Sequence, residues 1–203
     1  MLCMNRPKRS EHNREAILSE GIKLLSEQGY NGTGLKQILD TVKVPKGSFY
    51  HYFDSKETFA AEIIGLYGER LLTAFDSYVA QSNDSPVQTI RVLYGLMANE
   101  LESANCTQGC LVGNLAAEIG GKSHVCQQAM QQVYTKWQRR FEPLIEQAQE
   151  QGLIRQDVNA KQITELFWCA WEGAILRMKV TGSIEVLNSV MSLMLDSLLQ
   201  PQQ

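Results

Sequence analysis

A chain of 203 residues with 44% apolar and 20% charged side chains has the means to bury a core, which excludes a disordered or collagen-like polymer. No apolar run approaches the roughly 20 residues of a membrane-spanning helix, and the start Met1-Leu2-Cys3-Met4-Asn5 lacks the apolar segment of a secretory leader, so the expected location is the cytoplasm. The net charge of −3 speaks against a general nucleic-acid coat but hides an asymmetry: residues 1–60 hold nine basic and seven acidic side chains, residues 61–203 ten and fifteen. One end is suited to meet an anion. In the cytoplasm five cysteines, an odd number, read as thiols rather than a disulfide framework.

Apolar residues recur at helical spacing along the whole chain. Ser10 is expected to cap a first helix whose stripe Ile17, Gly21, Leu24 and Leu25 is ended by Gly29. Thr33 is placed to cap a second helix through Leu35, Ile38, Leu39 and Val42. Pro45, preorganised for a first helical position, opens a third that reaches about Tyr52. Ser55 caps a fourth, running through Phe59, Ile63, Tyr67, Leu71 and Phe75 to about Val79. After a loop at 81–86, Pro86 starts a fifth helix that lasts to about Ala104; a short sixth follows to Gly120. A long seventh covers about 123–151, with Pro143 inside it expected to cause a kink. Two final helices cover about 160–180 and 184–199. With no period-two alternation, the predicted fold is all-α, about nine helices.

The last two helices are apolar around much of their circumference. On the first, Ile163, Phe167, Ala170, Ala174 and Met178 form one stripe, with Trp168, Trp171 and Ile175 on another. On the second, Leu187, Val190, Met191, Met194 and Leu198 face one way, and Val186, Leu193 and Leu195 lie off that stripe. Such helices need cover on more than one side, which a second copy of the chain supplies: a homodimer through a four-helix interface is the expectation.

The segment 33–56 carries the functional signal. Two short helices joined at Val42-Lys43-Val44, with a longer one in front, form a helix-turn-helix. Phe49 and Phe53 must point into the core, which leaves Lys46, Gly47, Ser48, Tyr50 and His51 outside and Tyr52 at the boundary. A base, hydroxyls and a glycine without side chain suit close approach to DNA, with donors for phosphates and major-groove edges. Lys56 stands at the start of the fourth helix, where the dipole favours an acid. Either Glu57 or solvent holds it, or a phosphate docks there and Lys56 joins the helix amides in binding it. The arm Arg6-Pro7-Lys8-Arg9 reads equally as a phosphate or minor-groove contact and as a solubilising tail.

Thr33-Gly-Leu-Lys-Gln-Ile-Leu39 followed by Val44-Pro-Lys-Gly-Ser-Phe-Tyr-His-Tyr-Phe-Asp-Ser-Lys-Glu57 closely resembles the N-terminal DNA-binding domain of the TetR family of bacterial repressors. The resemblance implies a helix-turn-helix domain over 1–60 and a helical effector-binding and dimerisation domain over 61–203. It makes Thr33, Tyr50, Tyr52 and Lys56 phosphate contacts and brings Lys46, Gly47 and Ser48 to base edges. Many relatives carry histidine where this chain has Tyr52, which keeps a donor and removes a possible charge. The implied function is repression at a palindromic operator, relieved when an effector enters the C-terminal domain and changes the separation of two reading heads set about one helical turn, roughly 34–36 Å, apart. Candidate lining residues are Leu93, Met97, Trp137, Phe141, Phe167, Trp168 and Trp171, each of which also reads as ordinary core or dimer contact.

Cys110 follows Gly109 at the start of the sixth helix, where the dipole lowers a thiol pKa. Gly-Cys-Leu at 109–111 resembles a TetR subgroup that answers to electrophiles such as N-ethylmaleimide and to oxidants. Lys179 is then a candidate to depress the thiol further and Cys106 a resolving partner; the other reading of Cys110 is a small buried hydrophobe. Cys106, Cys110, His124 and Cys126 lack the pair spacing of a zinc site, and no base and orienting carboxylate accompany Cys110, so neither metal, cofactor nor catalysis is expected. The rival from another class is a helical interaction protein whose helix-turn-helix no longer reads DNA.

Overall fold

The computed structural model describes residues 9–201; the basic arm at 6–9 and the Ser10 cap fall outside its described side chains. Among the described residues all regular structure is helical: α1 Arg9–Gly32, α2 Leu35–Val42, α3 Lys46–Phe49, α4 Lys56–Gln81, α5 Pro86–Ser103, α6 Leu111–Ile119, α7 His124–Glu150, α8 Ala160–Thr181 and α9 Glu185–Leu193, which continues into a π-helical turn at Met194–Leu198. The all-α expectation holds. Ser55 and Thr58 close a reciprocal capping box on α4, and Ser85 caps α5 with Pro86 in its first turn. The Pro143 position lies inside an α7 that continues past it.

Three local expectations are corrected. Thr33 is not the cap of α2; that place belongs to Gly34, which has no side chain to offer. Instead Gly29, at φ 71° and ψ −177°, breaks the regular run of α1 and turns the chain back. Thr33 is thereby buried, 1% exposed, with its hydroxyl 2.7 Å from the Gly29 carbonyl and 3.1 Å from that of Leu24, to which it donates. The third helix is four residues long rather than eight, because Pro45 sits at its N-cap and the chain beyond Phe49 continues as turns. Near the C-terminus the helix ends in a π-helical turn, and Leu195 is buried and Leu198 exposed, the reverse of the expected stripe.

Phe49, Phe53 and Phe59 meet with ring centroids 4.9–5.4 Å apart and join Ile17, Leu25 and Ile38 in the core under the first three helices. Edge-on and tilted rings of this kind hold a small domain by packing alone. The helix α4 belongs to both halves. Its start packs Phe59 and Ile63 among those rings, and its later turns carry Tyr67, Leu71 and Phe75 into the body. It crosses residue 60 without a break over about 39 Å, at 1.5 Å per residue. Gly68 lets it lie against α7, since a Cβ there would stand 2.6 Å from a methyl of Val133.

Candidate nucleic-acid interface and effector cavity

With Phe49 and Phe53 buried, the opposite face of α3 and its following turn points outward. Lys46, Gly47, Tyr50 and His51 are exposed, Tyr50 by 53%, while Ser48 and Tyr52 are half-buried. The Tyr50 ring stands edge-on to Phe49 at 5.3 Å, which fixes its direction and leaves the hydroxyl outside. Among the described residues, the side-chain polar groups of Lys46, Ser48, Tyr50 and His51 have no hydrogen-bond or ion-pair partner within the chain. Their donors are available to something else.

Lys56 is not. It does begin α4, but its Nζ donates to the Tyr30 carbonyl at 2.6 Å and lies 4.2 Å from the centre of the Tyr30 ring. Burial lowers its pKa from the ordinary lysine value, against the nearby Glu118 carboxylate. The reason is the break at Gly29, which leaves the end of α1 in need of external partners. From the other side, Glu118 of α6 accepts hydrogen bonds from the Tyr30 and Asn31 backbone amides at 3.0 and 2.9 Å and from the Asn31 side chain at 2.9 Å. Lys56 and Glu118 thus clamp the 29–31 segment between α4 and α6. With Thr33 also turned inward, two of the four expected phosphate-binding side chains have partners within the scaffold.

Within the body, α4, α5, α7 and α8 enclose a cavity of about 660 Å³. Leu93, Met97, Trp137, Phe141, Trp168 and Trp171 stand on its wall. Phe167, expected beside them, is fully buried behind it, packed on Tyr94 and Phe141. Trp137 stacks on Phe141 at 4.6 Å and meets Trp168 edge-on at 4.7 Å; Tyr94 meets Trp171 at 4.9 Å. Cys110 is the N-cap of α6, as its glycine neighbour suggested, and lines the cavity together with Glu172. Lys179 does not reach it: its Nζ lies 3.4 Å from Asn114 in an adjacent hollow between α1, α6 and α8. Cys106 is buried and off the cavity wall.

Residues 17–63 match the family described as bacterial regulatory proteins, tetR family, and residues 86–194 match the tetracyclin repressor-like C-terminal domain. The chain belongs to the TetR family. Among similar proteins is the transcriptional regulator AcuR of Cereibacter sphaeroides, 34% identical over 86% of this chain and 80% of the relative. The transcriptional repressor NemR of Escherichia coli K12 is 31% identical over 91% of this chain and 94% of its own. A crystal structure of E. coli NemR in its reduced form superposes with a TM-score of 0.81 over 89% of this chain and 94% of that one, at 26% identity. TetR-family regulators bind DNA operators and act as dimers, and this chain is a DNA-binding transcriptional repressor of that kind, relieved by an effector. Among the described residues no helix is long and apolar enough to cross a membrane.

In this TetR-family protein two influences oppose each other at Cys110. The Val112 and Gly113 amides do reach its sulfur and favour the thiolate, as a helix start should. Burial outweighs them, the Glu172 carboxylate beside the sulfur adds to it, and the thiol pKa is pushed far up. Maleimide labelling of Cys110 is therefore expected to be slow at pH 7 and to keep rising with pH beyond 9. Glu172→Gln removes the carboxylate's contribution and is expected to speed labelling at pH 8 by about tenfold per pKa unit relieved. Residue-resolved mass spectrometry reads both; a wild-type rate that levels off by pH 7 would contradict the assignment.

Glu172, Tyr94 and Glu118 were not singled out in the sequence. Glu172 had a visible signal, a lone acid inside the apolar run from Leu166 to Ile175. Glu118 had none, because its partners lie 87 and 88 positions away.

Proposed function

We propose that each protomer reads an operator half-site with the outer face of α3, and that an effector in the α4–α5–α7–α8 cavity releases the DNA through α6. The observation that carries this reading is the outward, unpartnered set Lys46, Ser48, Tyr50 and His51 held in place by the buried Phe49 and Phe53. Two features support the release path. The helix α6 begins at Cys110 on the cavity wall and ends near Glu118 on the clamp at 29–31, so a shift of nine residues of helix connects them. The helix α4 carries Tyr67 in the cavity and Lys56 in the same clamp. Because Cys110 is held as a thiol, reversible occupation is the favoured trigger, with alkylation at Cys110 as the slower one. A gel-shift titration of the DNA upstream of the gene tests the reading: salt-sensitive, sequence-specific binding is expected, and N-ethylmaleimide is expected to release wild type more than Cys110→Ser. Binding that ignores sequence would remove the operator reading.

We also assign the dimer interface to α8 and α9. Trp171 and Ile175 are covered inside the protomer, so the stripe left bare is Leu166, Cys169, Gly173, Leu176 and Val180, with Leu176 60% and Val180 84% exposed. Its spacing keeps one side of α8 facing a neighbour, and Leu193 and Leu198 extend it along the terminal helix. Leu176→Asp combined with Val180→Asp is expected to yield monomers by light scattering and to weaken operator binding at least tenfold, since two half-sites are then no longer read together. Intact dimers in that variant would move the interface elsewhere.

A further inference from the structure

The cavity's wall is chemically one-sided. It carries two carboxyl groups, Glu172 within and the exposed Glu100 at its rim, and no lysine, arginine or histidine. One Glu172 oxygen and the Tyr94 hydroxyl are buried without a hydrogen-bond partner, and Tyr94 is 3% exposed. The second Glu172 oxygen lies against the first turn of α6, where a Cβ on Gly113 would stand 2.1 Å from it. The same cavity is lined by the aromatic rings of Tyr94, Trp137, Phe141, Trp168 and Trp171.

An anion entering here would meet Glu172 with no counter-charge. A purely apolar molecule would leave the carboxyl buried without a counter-charge, at a cost. A cation with a hydrocarbon body satisfies both halves of the wall, by ion pairing and by cation–π attraction. We propose that this cavity takes a lipophilic organic cation, its charge held by Glu172 and its apolar groups by the aromatic rings. The proposal rests on the reading of the cavity as the effector site and names the class of effector.

Burial raises the Glu172 carboxyl to about 7, with the Cys110 thiol donating to it and partly offsetting that rise. The groups facing it are Cys110 at the start of α6, Tyr67 on α4, Tyr94 on α5 and Tyr134 on α7. Lys179 lies in an adjacent hollow that Glu172 also lines, with its Nζ beside Asn114. The carboxyl is thus the group near the cavity that changes charge between pH 6 and 8. A cation binds its ionised form, so affinity must rise with pH through about 7.

Tetraphenylphosphonium and tetraphenylborate have the same shape and opposite charge, and the chain's three tryptophans all line the cavity. Tryptophan fluorescence of the free dimer is expected to show the phosphonium binding at least tenfold tighter than the borate. Its affinity is expected to rise about tenfold from pH 6 to pH 8, following ionisation of the carboxyl. Glu172→Gln is expected to abolish both the preference and the pH dependence. Equal or reversed preference, a flat pH profile in the wild type, or an unchanged preference in Glu172→Gln overturns the proposal; the first two need no variant to fold. Operator release is read separately by gel shift. Selective phosphonium binding without release overturns the release mechanism alone, and release by both ions equally overturns the cation assignment alone.

Discussion

Alanine at position 29 is expected to destabilise the protein by about 2–4 kcal/mol and to weaken operator binding with it. Two effects act at once. At φ 71° and ψ −177° the backbone of Gly29 is in a region open almost solely to glycine, and forcing a side chain into it costs on the order of 1–3 kcal/mol. The new Cβ would also stand 2.0 Å from a Glu118 carboxylate oxygen, so the carboxylate must leave the Tyr30 and Asn31 amides it holds. Losing charge-assisted bonds at a part-exposed site adds roughly 1 kcal/mol. Glu118→Ala removes only the second effect. In urea unfolding, Gly29→Ala is therefore expected to lower the midpoint by more than Glu118→Ala does, and the double variant to cost less than the two added together. Strict additivity would show that Gly29 and Glu118 do not act on each other. Because the clamp joins α1 to α6, Glu118→Ala is also expected to leave the protein foldable but harder to induce.

This clamp marks where sequence reading stops. Helices announced by short-range signals were legible: Ser55 as the cap of α4 and Pro86 at the start of α5. So was the outward face of α3, because burying Phe49 and Phe53 at i and i+4 leaves one arrangement for the residues between them. The fates of Thr33 and Lys56 were not legible. Both depend on the path of the chain after Gly29, which brings Tyr30 to Lys56 across 26 positions and to Glu118 across 88. The cavity lay between these cases. Its apolar lining follows from helical periodicity, which explains why six of seven candidate residues stand on the wall while Phe167, on the same helix, is turned behind it. What periodicity hides is the polar end, since Glu172 meets Cys110 only through the packing of α8 on α6. The balance at Cys110 was hidden for that reason: the helix start was visible, the acid that opposes it was not.

Lys46→Ala, Tyr50→Phe and Lys56→Ala are expected to separate base reading, phosphate contact and scaffold in one set of titrations. Lys46 is exposed at the start of α3, the end that enters a major groove, so its loss should cost about 1–3 kcal/mol per half-site on the operator and less on unrelated DNA. Tyr50→Phe keeps the ring against Phe49 and removes only the hydroxyl, so binding should weaken by about 1 kcal/mol on every sequence alike. Lys56→Ala is the decisive member. A lysine on a phosphate releases a counterion, and its removal lowers the slope of log affinity against log salt by about one per contact. The Lys56 ammonium is instead held by the Tyr30 carbonyl and ring. Its loss is therefore expected to weaken operator binding and lower the unfolding midpoint together, with the salt slope unchanged. A slope reduced by about two for the dimer, with stability intact, would return Lys56 to the DNA backbone and make its hold on Tyr30 a resting position that the operator displaces.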